Sequence, residues 1–292
     1  MKLNVCTISF RHHLISFEQI AHWAKRHHFN GIELWGVHAK NMDARMEYGK
    51  SWLSQQNLSV PMISDYLPLA GDADTAIAKA TSLGILCEYW GAKKLRTFAG
   101  NRSSHLVSKE ERSLWTTRLR KLCDVAREFG VYLVVETHPN TLADTLESTL
   151  QLIEEVNHPA LRINFDVIHV WECGSDPVSA LKALEPLVVH IHLKNITDKA
   201  LLNVFNPGNV YAPAGDRSGM VKLFEGAFDF NGFLAHLKQH SSIPWQVLDA
   251  SLEWFGADVC TTLEADCKLL REFGFAVNPV TTATQEKAAT LA

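Results

Sequence analysis

Residues 131–140 read VYLVVETHPN. Five residues without charge are followed abruptly by Glu136 and His138. Side chains alternate across a strand, so positions 136 and 138 project to the same side. A buried strand whose C-terminal tip carries a carboxylate and an imidazole belongs in an α/β protein, where strand ends face the chemistry.

The same pattern recurs along the chain. Runs with β-type composition occupy 3–9, 31–35, 59–66, 94–98, 131–137, 161–166, 187–193 and 247–254. Between them lie stretches with helical spacing of apolar residues: 16–28, 41–57, 72–90, 108–129, 141–156, 176–184, 230–240 and 258–273. Ser16 is placed to cap the first, and Ser108-Lys-Glu-Glu opens the fourth as a capping box. Eight strands alternating with helices predict one (β/α)8 barrel over 1–277, followed by a small, polar tail over 278–292. A doubly wound open sheet is the alternative, but no GxGxxG follows the first strand. Residues 194–226 are too long for a plain connection, and Phe205, Tyr211 and Phe224 mark them as an ordered loop over the site.

Composition narrows the function. The chain has 292 residues, 47% hydrophobic and 21% charged, enough for a large core. Its net charge of −4 argues against a nucleic-acid partner. No window is apolar enough to span a membrane, and the N-terminus lacks a signal peptide, so the expected location is the cytoplasm. Six scattered cysteines lack zinc spacing and read as reduced thiols.

Chemistry-bearing residues collect at the predicted strand ends: Glu33, Asp65, Tyr66, Arg96, Glu136, His138, Asp166, His169, His190, His192, Lys194 and Glu253. Glu136, Asp166, His192 and Glu253 come from four consecutive strands. Three carboxylates and an imidazole suit one divalent cation such as Mn²⁺, Mg²⁺ or Co²⁺. Any one of them alone reads as a cap or ion-pair partner, and the set on adjacent strands is what points to a metal. Arg96 and Lys194 could hold an anionic substrate group or pair with rim carboxylates. Glu33 could orient a neighbour, and His190 lies deeper, in a structural place. Tyr66, Trp35, Trp171, Phe205 and Tyr211 could wall a pocket or simply pack.

The strand ends GIELW, ETHPN, D-x-x-H at 166–169, H-x-H-x-K at 190–194 and SLEWFG resemble the xylose isomerase-like, AP endonuclease-like barrels over about residues 1–275. More narrowly, CTISFRHHLISF, MISDYL, RTFAG, ETHPNTLADTLESTL, NVY, AGDRSGMV and SLEWFG are similar to the 3-dehydroshikimate dehydratases of that superfamily. The resemblance implies a hydro-lyase acting on 3-dehydroshikimate to give 3,4-dihydroxybenzoate through a metal-stabilised enolate, in siderophore synthesis or quinate breakdown. It implies Glu136, Asp166, His192 and Glu253 as metal ligands, with His138 as base and Lys194 beside it in catalysis. Arg96, Tyr66, His169, Phe205, Tyr211 and Glu33 complete the expected substrate-binding set. Two departures stand out: Phe165 precedes Asp166 in place of leucine, and SSIPWQVLDA at 241–250 is longer than the pattern. The expected partner is a small-molecule substrate, with no nucleic acid or membrane; a homo-oligomer is compatible with the sequence. Competing readings are a sugar or keto-inositol isomerase or epimerase on the same barrel, a nuclease for abasic DNA, and a non-catalytic binding barrel.

Overall fold

A computed structural model describes residues 1–42, 45 and 47–275. Eight parallel strands close into a barrel: β1 Lys2–Cys6, β2 Gly31–Trp35, β3 Ile63–Ser64, β4 Lys94–Thr97, β5 Tyr132–Glu136, β6 Leu161–Asp166, β7 Val188–Leu193 and β8 Asp249–Leu252. β1 pairs with both β2 and β8, which completes the ring. The (β/α)8 expectation therefore holds. The polar tail, with residues 276 and 277, lies outside the described residues.

Local physics explains the element boundaries. Ser16 accepts from Gln19 N while the Gln19 side chain returns a bond to Ser16 N–H, a capping box that starts the helix Phe17–Arg26. Ser108 caps Lys109–Glu128 in the same way from one side. β3 is far shorter than the apolar run 59–66. Pro61 has no N–H to give to a ladder, so only the bridge Gly31–Ser59 precedes Ile63. The helix expected over 41–57 is instead Gly36–Asn41 and Lys50–Gln55; residues 43, 44 and 46 between them lie outside the described set. The fifth-strand helix starts at Leu146 rather than 141, because Thr145 caps it. An unforeseen short helix, Val167–Glu172, follows β6 directly, with Asp166 accepting from His169 N as its cap.

Two departures from the family pattern leave the register intact. Phe165 is fully buried and stacks on Phe233 at 6.3 Å. The longer run before β8 folds into a 3-10 turn, Trp245–Val247, after which Ser251 still pairs with His192 and Asp249 with His190. Residues 194–226 are ordered, as expected: a ribbon pairs Asn195–Ile196 with Met220–Val221, and Lys199–Phe205 and Pro207–Tyr211 form short helices. All six cysteines are unpaired. Among the described residues no helix is long and apolar enough to cross a membrane.

The barrel interior is polar where such barrels are usually filled by branched apolar side chains. Lys94 Nζ donates to Asp249 Oδ2 at 2.7 Å and to His190 Nδ1 at 3.1 Å. Because an ammonium can only donate, His190 carries its proton on Nε2, which faces Ser251 Oγ at 2.8 Å and Glu33 Oε2 at 3.3 Å. This polar column rises to the strand ends.

Candidate active site

At the rim, β5, β6, β7 and β8 deliver Glu136, Asp166, His192 and Glu253 to one place. Glu136 and Asp166 are the last residues of their strands, His192 the penultimate one of β7, and Glu253 the residue after β8. His192 Nδ1 lies 3.7 Å from Glu136 Oε2, 3.8 Å from Asp166 Oδ2 and 3.6 Å from Glu253 Oε1. All four side chains are buried.

Glu33 fixes how His192 meets them. His192 Nε2 lies 3.0 and 3.2 Å from the Glu33 oxygens. A buried carboxylate facing both His190 and His192 accepts, so His192 is Nε2–H and its Nδ1 lone pair points at the three carboxylates. That Nδ1 is buried with no hydrogen-bond partner. Distances of 3.6–3.8 Å are too long for hydrogen bonds. They match atoms sharing one ion held at about 2.1 Å from each. The donor set thus fits a divalent cation, and Glu136, Asp166 and His192 hold ligand atoms within 4.8 Å of one another. Ser64 Oγ also donates to Glu33, which is wholly buried behind His192. Its place is therefore behind His192, itself a candidate ligand, and not at the open rim where a substrate would sit. The group Glu33, His190 and His192 also has cation-binding geometry, but its own hydrogen bonds close it.

Three carboxylates this close persist because cations face them. Arg96 Nε sits 3.0 Å from Glu136 Oε2, and Asn164 Nδ2 donates to the same oxygen at 3.1 Å. Lys194 donates to Asp166 and, at 2.8 Å, to Glu253 Oε2. Burial pushes the Glu136 carboxyl upward, but the Arg96 guanidinium overrides it and holds it well below the usual range. Asp166 is lowered too, with the Lys194 ammonium outweighing burial. Lys194 is fully buried, yet Asp166 and Glu253 raise its pKa and keep it an ammonium.

His138 stands one step nearer the surface. Its Nδ1 lies 2.7 Å from Pro139 O, a pure acceptor, so Nδ1 carries the proton and Nε2 keeps its lone pair. Burial, then the neighbouring His169, push its pKa down to about 3, so the imidazole is neutral. Its ring packs 4.2 Å from Phe98 on one side and 4.2 Å from His169 on the other. His169 Nδ1 is held by Glu172 Oε2 at 2.8 Å.

The structure brings the remaining expected groups to the same chamber. Arg96 lies 4.9 Å beneath the Tyr66 ring, and the Tyr66 and Tyr211 hydroxyls are hydrogen-bonded. Tyr211 stacks on Trp35 at 5.7 Å, and Phe205 lies 5.5 Å from Lys194 Nζ. Trp171 sits apart, against Phe228 and Lys199. The chamber lined by Arg96, Glu136, His138, His169, Lys194 and Glu253 has a volume of only about 30 Å³. A cavity of about 640 Å³ adjoins it, sharing Tyr66, Phe98, His138 and Tyr211. The tyrosine pair thus stands at the boundary between the two.

One group was not foreseen. Arg217 donates to five backbone carbonyls: Asn209, Val210, Ala212, Asp216 and Phe255. Arg11 Nε also donates to Val210 O at 2.6 Å. Together they fasten the Tyr211 segment to the chain just past Glu253. The run AGDRSGMV contains Arg217, but nothing local to it reveals carbonyls that tertiary folding supplies.

Comparison with known proteins agrees with this geometry. Residues 21–273 match the family model described as the xylose isomerase-like TIM barrel. A curated 3-dehydroshikimate dehydratase from Bacillus anthracis is 44% identical over 276 residues, covering 92% of this chain and 96% of that protein. A crystal structure titled as the probable 3-DHS dehydratase AsbF, involved in petrobactin synthesis in Bacillus anthracis, superposes with TM-score 0.87 at 43% identity, covering 93% of this chain and 99% of that one. The IOLI protein with a bound zinc atom shares the fold at TM-score 0.71 and 17% identity over 93% and 96% of the two chains. The chain belongs to the xylose isomerase-like TIM-barrel family, in which it is a homologue of 3-dehydroshikimate dehydratase.

Proposed function

We propose that this chain is a divalent-metal-dependent dehydratase that removes water from 3-dehydroshikimate to give 3,4-dihydroxybenzoate. The observation that carries this reading is His192 Nδ1, buried and unbonded among three carboxylates, next to a neutral His138 with a free Nε2. The extended identity to a dehydratase of that name supplies the substrate.

Glu136, Asp166, His192 and Glu253 would hold the ion. When bound, it supplies Lewis-acid polarisation of the substrate ketone, which makes the adjacent C–H acidic. His138 Nε2 takes that α proton, and its hydrogen bond to Pro139 O holds the ring in place for the transfer. The electron pair left behind expels the β hydroxyl, which departs as water after gaining a proton. Tautomerisation, which moves a proton from the ring methylene to the ketone oxygen, then gives the aromatic catechol, and aromaticity drives the sequence forward. Arg96 and Lys194 offer cations to the substrate carboxylate, and Lys194 also sits against Asp166 and Glu253, where it can shape the position of both. Tyr66, His169, Phe205 and Tyr211 wall the ring and exclude water. Among the two settings expected from sequence, siderophore synthesis is the one in which the AsbF relative works.

His138→Gln tests the assignment. With metal content shown to be unchanged, turnover of 3-dehydroshikimate should drop by about 10²- to 10⁴-fold. Near-normal turnover in the metal-loaded variant would remove His138 from the role of base.

A further inference from the structure

One candidate ligand of the ion, Glu136, also belongs to a second cluster that contains the proposed base. Glu136, His138 and His169 also place one ligand atom each within 4.8 Å of one another, all three buried. Both imidazoles are prepared as ligands. His138 spends Nδ1–H on Pro139 O, and His169 spends Nδ1–H on Glu172 Oε2 at 2.8 Å. Each therefore keeps Nε2 free as a lone pair. A histidine whose other nitrogen is held by a carboxylate or carbonyl is the usual arrangement around bound metals. The two rings approach to 4.2 Å, and the chamber of about 30 Å³ that they line has room for an ion.

We propose that Glu136, His138 and His169 form a second, inhibitory site for an imidazole-preferring transition metal such as Zn²⁺. Its chemistry differs from the first site. The first offers three carboxylates and one imidazole, a set suited to Mg²⁺ or Mn²⁺. The second offers two imidazoles and one carboxylate, which suits Zn²⁺, Cu²⁺ or Ni²⁺. Glu136 would bridge the two, as carboxylates do in two-metal centres with ions about 3.5–4 Å apart. An ion on His138 Nε2 occupies the lone pair that takes the substrate proton. Zn²⁺ would thus stop turnover without displacing the working metal. The inhibitory consequence rests on the dehydratase reading; the site itself does not.

The test uses the full chain loaded with one equivalent of Mn²⁺ and titrated with Zn²⁺, following bound zinc, free Mn²⁺ by its paramagnetic resonance signal, and turnover of 3-dehydroshikimate. The expected result is one further equivalent of zinc, no Mn²⁺ released, and turnover reduced by about 10²- to 10⁴-fold as the base is lost. His169→Gln should weaken that equivalent by no less than the roughly 10- to 100-fold seen on losing an outer partner of a ligand. His138→Gln should weaken it likewise and serves if the first variant folds poorly. Substituting His236 and His240, whose rings lie 5.2 Å apart on an outer helix, should leave it unchanged. Release of Mn²⁺ in step with zinc uptake, absence of a further equivalent, or a further equivalent undiminished in both site variants would overturn the proposal. A Mn²⁺-loaded wild type that ignores 3-dehydroshikimate would instead defeat the functional reading, and zinc stoichiometry would still decide the second site.

Discussion

Glu33 shows how much a single buried carboxylate can decide. It accepts from His192 Nε2, and that choice of tautomer is what turns Nδ1 toward Glu136, Asp166 and Glu253. Burial raises its carboxyl, yet the two histidines outweigh that and hold it well below the ordinary carboxylate range. Outer partners of this kind typically govern 10- to 100-fold in metal affinity. Glu33→Gln is therefore expected to weaken divalent-metal binding by about that factor while the barrel stays folded, as a chelator-competition titration would read. Unchanged affinity would return Glu33 to a purely structural place. Sequence placed Glu33 at a strand end and left its role open between orienting a neighbour and binding substrate. The deciding contact joins residues 159 positions apart, which no local pattern encodes.

The segment between β7 and β8 matters at the scale of elements. The chamber beneath Tyr66 and Tyr211 is small, and their hydroxyl pair stands at its boundary with the larger cavity. Arg217 and Arg11 fasten the segment that carries Tyr211. Their donors converge on the carbonyl of Val210, one residue before Tyr211, and Arg217 also reaches Phe255 O, two residues beyond Glu253. Hydrogen bonds from a charged group contribute about 1.5–3 kcal/mol each. Arg217→Ala should therefore raise KM for 3-dehydroshikimate by about tenfold or more, with Arg217→Lys recovering part of the loss and metal affinity unaltered. Equal steady-state constants for wild type and the alanine variant would count against the clamp. The ordered loop was legible from its aromatics and its length. The clamp was not, because an arginine's acceptors here are backbone oxygens that any sequence carries. Likewise the brevity of β3 turns on Pro61 alone within an apolar run that reads as strand throughout.

Across the whole molecule, barrel closure is what makes the site. Four candidate ligands drawn from residues 136 to 253 meet because β5 to β8 are neighbours in register, Asp166 opposite His192 and His192 opposite Ser251. That much followed from polar residues at the ends of apolar runs, since eight strands in a ring bring every C-terminal tip to one face. The charged column below the site did not, since the Lys94–Asp249 pair joins residues 155 positions apart, which no local pattern encodes. A second buried carboxyl ties the outer shell to the loop. Asp266 accepts from Leu223 N at 2.9 Å, and burial pushes it up to about 7. The unfolded chain would ionise this group from about pH 3.9, while the folded chain keeps the proton until about 7. Between those values the folded state binds more protons, so its contribution to stability is full at low pH and is lost as pH rises, by up to about 4 kcal/mol. Asp266→Asn keeps the acceptor for Leu223 and cannot ionise. It should be more stable than wild type at pH 8 and no more stable near pH 4, as denaturant melts at the two pH values would show.

On the proposed function, one divalent ion held by Glu136, Asp166, His192 and Glu253 makes this barrel a dehydratase of 3-dehydroshikimate. The most direct measurement strips the protein with a chelator, returns Mn²⁺, Mg²⁺ or Co²⁺ in stoichiometric steps, and follows catechol absorbance with 3-dehydroshikimate, with a keto-inositol as the competing substrate. The expected result is no turnover in the stripped protein, recovery of 3,4-dihydroxybenzoate formation that saturates at one equivalent of metal, and no reaction of the keto-inositol. Full turnover by the stripped protein, or turnover of the keto-inositol alone, would contradict it.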